Sequence, residues 1–172
     1  MTDAPAQRLV EAYHRMMERV HARLEGMEIG LGPQLSETVE AAREKAVELG
    51  ELSREEAEEI GGYLKRDIED MAMFMIESGE ALRDWMDTDL AVFERELLER
   101  MLGVADRTTL ELQQLRLQAR EAPFYHAHEI AGPGTLQCDA CGQTVHMKAT
   151  GHVPPCPRCG NNRFRRIPSA QM

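Results

Sequence analysis

Apolar residues recur at helical spacing through most of residues 1–122. Leu9, Tyr13, Met16, Met17, Val20, Leu24 and Met27 line one face of a first helix, with Thr2 or Asp3 as its cap, Pro5 in its opening turn and an end near Glu25. Gly26, Gly30, Gly32 and Pro33 then predict a loop. Leu35, Val39, Ala42, Ala46 and Leu49 mark a second helix that Gly50 stops. Leu52-Ser53-Arg54-Glu55-Glu56-Ala57 reads as a third helix start. Ser53 can bond the amide three residues on, Glu56 can reach back, and Leu52 can staple onto Ala57.

Ala57, Ile60, Leu64, Ile68, Met71 and Met75 form the buried stripe of that helix, interrupted by Gly61-Gly62, which predicts a bend or a close helix crossing. Ser78-Gly79 breaks the pattern. Leu82, Met86, Leu90, Phe93, Leu97 and Met101 restart it, with Trp85 beside the stripe. Two helices of about 20–25 residues, roughly 30–37 Å long, are expected to pair antiparallel. Gly103 weakens the fourth. Asp106 can cap a fifth helix reaching about Gln118, whose leucines share no single face, and Pro123 closes the helical region.

From Phe124 the period shortens. His126–Ile130, Thr135–Cys138, Thr144–Met147 and Arg163–Arg165 read as strands, with Gly132-Pro133-Gly134 as a turn between the first two. Leu136, Val145, Met147, Phe164 and Ile167 supply little core, so this segment needs another source of stability.

That source is visible in the cysteines. The only four fall as Cys138-Asp139-Ala140-Cys141-Gly142 and Cys156-Pro157-Arg158-Cys159-Gly160, two Cys-x-x-Cys pairs each followed by glycine. Glycine lets each knuckle turn tightly and aim backbone N–H groups at sulfur. Four thiolates complete a closed tetrahedral Zn²⁺ site with no position left for water, so one structural zinc per chain is expected. Structural zinc in small fingers contributes an apparent 10–16 kcal/mol, as an order of magnitude.

Composition agrees with helices plus a metal module. Aromatics are 5% of the 172 residues, and eleven methionines outnumber four phenylalanines. The methionines, Met16, Met17, Met71, Met73 and Met75 among them, serve as core filling or as an adaptable partner groove. Net charge is −10, unevenly spread: residues 121–172 carry three acidic and five basic groups, leaving the helices strongly acidic. Such helices repel phosphates and attract a basic partner or simply stay solvated. The opening residues lack a secretory pattern, and the longest apolar run, Met71 to Ile76, is far too short for a bilayer. A reducing cytoplasm, where paired thiols favour metal over disulfides, is the expected compartment.

Several elements together resemble the uncharacterised zinc-ribbon-containing helical proteins of bacteria. They are Gly50-Glu51-Leu52-Ser53, Lys65-Arg66-Asp67-Ile68, Asp106-Arg107-Thr108-Thr109-Leu110-Glu111, Tyr125-His126, Glu129, Gly132-x-Gly134-Thr135-Leu136 and both cysteine pairs. The resemblance covers nearly the whole chain. It implies a zinc ribbon after a helical region and carries over no activity. A glycine is usual where His128 stands, so the first hairpin is expected to differ locally.

Helices followed by such knuckles also resemble rubrerythrin, a peroxide-reducing iron enzyme. Its diagnostic is a di-iron site on different helices of the bundle. Glu11-x-x-His14 and Glu18-x-x-His21 share one helix, and a wheel with Tyr13 and Val20 inward turns them toward the flank and solvent. His126, His128, His146 and His152 are expected on strand surfaces, because four cysteines already fill one site. Arg158, Arg163, Arg165 and Arg166 are candidate partner or phosphate contacts, or else offset a centre that is formally −2. One aromatic, Phe164, interleaves with them.

The expected architecture is mainly α: four to five helices in hairpins or a bundle over residues 1–122, then a small all-β zinc ribbon over residues 123–172. The expected role is non-enzymatic, through contacts with a protein partner. A nucleic-acid or transcription-associated ribbon is the alternative.

Overall fold

The computed structural model describes residues 4–26, 35–78, 94–105 and 124–167. Helix α1 is Ala4–Glu25, α2 is Leu35–Glu48 and α3 is Arg54–Ser78, and residues 94–105 are all helical, Gly103 included. The expected caps at Thr2 or Asp3, the start of the fourth helix and the fifth helix lie outside the described residues. Among those described, no helix is long and apolar enough to cross a membrane.

Local chemistry explains the ends of α2 and α3. Gly50 takes φ 66°, and the N–H groups of Gly50 and Glu51 donate back to Val47 O and Ala46 O at 3.0 Å each, which satisfies the last carbonyls of α2. Ser53 and Glu56 form the reciprocal cap: Glu56 N donates to Ser53 Oγ at 3.1 Å, and Ser53 N donates to Glu56 Oε2 at 2.9 Å.

The predicted stripes meet in one core. Tyr13, Met16, Met17 and Val20 of α1 pack with Leu35 and Val39 of α2, Ile60, Leu64 and Ile68 of α3, and Leu97, Leu98 and Met101. Of the Gly61-Gly62 pair, Gly61 is the close approach: a Cβ there would stand 2.5 Å from Arg43 Cδ, so the stem of this α2 side chain occupies the space. Gly62 has nothing within 4 Å.

Six short strands follow: β1 (Tyr125–His126), β2 (Ile130–Ala131), β3 (Gly134–Cys138), β4 (Thr144–Met147), β5 (Gly151–His152) and β6 (Arg163–Ile167). The single strand expected over His126–Ile130 divides in two. His128 adopts φ 78°, and the Glu129 carboxylate accepts the His126 N–H at 3.0 Å, closing a turn between β1 and β2. A left-handed residue is where glycine costs least and a side chain with a β-carbon costs more. The turn at Gly132-Pro133-Gly134 therefore does not join adjacent strands. The sheet order is β1-β6-β3-β4, with β2 pairing β5 separately, and each pairing is antiparallel. Its core is small: Tyr125, Ala131, Leu136, Val153 and Phe164 with Cys138 and Cys156.

Ribbon and helices meet through buried charge. Asp67 of α3 is 1% exposed, and its Oδ2 accepts Tyr13 OH and the Gly132 N–H, each at 2.6 Å. From β6, Arg166 donates to Asp67 Oδ1 at 3.3 Å, to Tyr125 OH at 2.9 Å and to Pro133 O at 2.7 Å. Tyr125 OH in turn donates to Asp70. Arg66 bonds Glu129 and Ile130 O, and its guanidinium carbon lies 3.9 Å from the Tyr125 ring centroid. A further tie joins Thr150 Oγ1 to Glu94 Oε2 at 2.9 Å. Ile130 is the ribbon residue that enters the helical core.

Two predictions follow from this packing. Gly62→Ala should raise stability by about 0.5–1 kcal/mol through helix propensity, whereas Gly61→Ala should lower it by about 1 kcal/mol because Arg43 must move. Chemical denaturation of both variants decides; an equal gain at both sites would show that Arg43 swings away freely. The second concerns Asp70, whose carboxyl burial pushes up to about 6 against the opposing pull of Arg166 and Tyr125. The folded state then binds this proton more tightly than the unfolded chain, so the ionised group costs stability at neutral pH and the cost disappears as pH falls through 6 toward 4. Relative to Asp70→Asn, the wild type should gain on the order of 2 kcal/mol between pH 7 and pH 4. Parallel stability–pH curves for the two proteins would contradict this.

Candidate metal centre

Each cysteine pair sits on a turn that the sequence dictates. Gly142 and Gly160 follow the second cysteine of each pair at φ 72° and 70°, and their N–H groups donate to Cys138 O at 3.0 Å and Cys156 O at 2.9 Å. The turns are tied off by Cys138 N to Gln143 O at 2.8 Å and Cys156 N to Asn161 O at 2.9 Å. The first knuckle grows from the end of β3 and the second precedes β6. The pairing of Cys138 with Phe164 brings them face to face.

All four sulfurs lie within 4.8 Å of one another, and Cys138–Cys159 and Cys141–Cys156 are each 3.6 Å apart. A disulfide needs about 2.05 Å, so these are free thiols. A tetrahedron with Zn–S bonds of about 2.3 Å has edges of about 3.8 Å, which this cluster fits. Cys138 and Cys156 are buried, Cys141 is half-buried and Cys159 is exposed.

The surroundings favour thiolate. Burial raises the Cys138 thiol, but the N–H groups of Cys141 and Ala140 and the Asn161 amide outweigh it and bring it to about 6. At Cys156 burial is likewise outweighed by the N–H groups of Cys159 and Arg158. Cys159 carries the opposite burden: the Asn161 N–H favours its thiolate, yet the neighbouring thiols push it up to about 12. Three sulfur neighbours resist a fourth negative charge unless a cation sits among them. Asn161 was not singled out from the sequence. Its Nδ2 lies 3.5 Å from Cys138 Sγ and donates to Arg163 O at 3.0 Å, so it links the centre to β6.

The arginines divide into two groups. Arg163 Nε donates to Asp139 Oδ2 at 3.0 Å, and Arg165 Nε is 3.3 Å from Asp139 Oδ1. Both guanidiniums lie 4.5 Å from the Phe124 ring centroid, with Arg158 exposed elsewhere on the second knuckle. Phe124 is therefore the aromatic among these cations, while Phe164 is buried in the ribbon core. Arg166 instead lies inside the helix–ribbon junction.

His126 pairs with Glu129 at 3.1 Å, His146 Nδ1 is 3.0 Å from Thr135 Oγ1, and His152 Nδ1 donates to His128 O at 2.7 Å. Among the described residues, the four cysteines are the one cluster of three or more His, Cys, Asp or Glu side chains that could hold a metal. On α1, Glu11 and Glu18 are 59% and 54% exposed, whereas His14 lies 3.6 Å from the buried Glu94. Burial pushes His14 below its usual range.

Helices carrying a four-cysteine ribbon are the class of protein that fold and site define. A family model described as a zinc-ribbon containing domain matches residues 23–168, most of the chain, and the chain belongs to that family. It is similar to the Uncharacterized protein YbeL of Escherichia coli K12, being 28% identical over 131 residues, or 76% of this chain and 80% of that one. The YbeL proteins of the O6:H1 and O157:H7 strains match to the same extent. No solved structure matches the chain.

Competition against a chromophoric chelator separates ligands from their supports. Cys156→Ser should weaken zinc binding by more than about 100-fold, and Asn161→Ala by about 10- to 100-fold. Wild-type affinity in Asn161→Ala would remove that side chain from the account of the site.

Proposed function

We propose that the chain is a non-enzymatic, cytoplasmic zinc protein whose ribbon holds one structural Zn²⁺ and which acts through contacts with a protein partner. The observation that carries the metal assignment is the clustering of four sulfurs within 4.8 Å, with each knuckle turning backbone N–H groups toward them. Bound there, zinc supplies a crosslink between β3 and the segment entering β6. The protein-contact role is supported by acidic helices whose exposed positions include Glu37, Glu40, Glu44, Glu55, Glu58 and Glu59, a charge distribution that suits a basic partner surface.

A nucleic-acid role is the second reading, favoured by the cations grouped around Phe124. Against it, Arg163 and Arg165 are already paired with Asp139, and a four-thiolate zinc centre adds negative charge nearby.

The protein purified without added metal should be colourless, contain about one zinc per chain, and give no salt-sensitive gel shift with RNA or DNA at physiological salt. Elemental analysis, a visible spectrum and a gel-shift titration check these together. Reproducible iron would overturn the structural-zinc reading. Sub-micromolar binding that weakens steeply with salt would replace protein contact with the nucleic-acid reading.

A further inference from the structure

The junction between ribbon and helices is built from ionised and hydroxyl groups rather than from an apolar seam. Asp67 and Asp70 on α3 face Arg166 and Tyr125 of the ribbon, Arg66 faces Glu129, and Glu94 faces Thr150, with Ile130 as the apolar member. Groups of this kind are well solvated when separated, so opening such a junction regains the hydration that burial removed. An apolar seam of equal area would lose that option.

Both halves of the ribbon's contact trace back to the knuckles. Arg166 lies three positions after Arg163, whose carbonyl accepts the Asp139 N–H of the first knuckle at 3.0 Å. Val153, three residues before Cys156, donates to Glu129 O and accepts from His128 N–H, each at 2.8 Å, and so holds the β2 edge on which Ile130 and Glu129 stand. The ribbon's own core is too small to keep these strands in place alone.

We propose that the ribbon is a metal-controlled cap on α1 and α3. With four thiolates bound to one cation, β6 and β2 stay in register and Arg166 and Arg66 remain engaged. When the cation leaves, the strands lose their anchor, the arginines withdraw and Asp67, with Tyr13 beside it, is uncovered on helices that stay folded. This rests on the zinc reading above.

Carboxylate footprinting of the full chain tests it, using a carbodiimide and glycine ethyl ester at neutral pH with zinc and helical circular dichroism measured on the same samples. Asp67 should be protected with zinc present. Labelling should rise about tenfold or more on chelation while the helical signal largely persists, and restored zinc should restore protection. Absence of zinc from the native protein would sink the zinc reading and this inference together. Zinc release with Asp67 still protected would sink the inference alone, as would labelling that rises only in step with lost helix. Linkage requires the converse effect: Arg166→Ala, or Arg166→Gln where the alanine variant does not fold, should bind zinc about fivefold or more weakly. Wild-type zinc affinity in a folded Arg166 variant would also overturn the coupling.

Discussion

Four sulfurs confined within 4.8 Å cannot all carry negative charge unless a cation lies between them, and the ribbon is arranged around that constraint. The glycines at φ 72° and 70° allow both chain segments to turn beneath the sulfurs. Backbone N–H groups and the Asn161 amide draw Cys138 toward thiolate, while crowding drives Cys159 the other way. A metal reconciles the two tendencies. It would also compensate for a ribbon core of few side chains, because a metal held by the folded ribbon and not by the unfolded chain adds its binding free energy to stability.

The second organising feature is charge buried where the two parts meet. Asp67 and Arg166 lie deep in the junction, and the hydroxyls of Tyr13 and Tyr125 are held protonated chiefly by burial. Networks of this type give modest net stability because desolvation offsets their attraction, yet they specify one docking geometry closely. A shift of one residue in β6 that brought Ile167 opposite Asp67 would leave a buried carboxylate without its cation. The metal end of the sheet and the junction end are thus joined by a single strand with little freedom of register.

Much of the helical region was legible because its signals are local. Gly50, the Ser53–Glu56 reciprocal cap and the stripe through Ile60, Leu64 and Ile68 each act within a few residues of themselves. The cysteine pairs were legible for the same reason, their spacing being a chemical requirement. Strand order was not: placing β6 between β1 and β3 depends on contacts across some forty residues, and the left-handed turn at His128 hid behind a side chain that rarely takes that conformation. The junction was missed because Asp67 reads as a polar position. Its place between Leu64 and Met71, in the middle of the buried stripe, was the available signal.

Zinc K-edge X-ray absorption on the protein as purified counts and identifies the atoms bound to the metal. A closed four-thiolate centre gives four sulfur scatterers at about 2.3 Å and no bound nitrogen or oxygen. A shell containing nitrogen or oxygen, or fewer than four sulfurs, would contradict a closed four-thiolate centre.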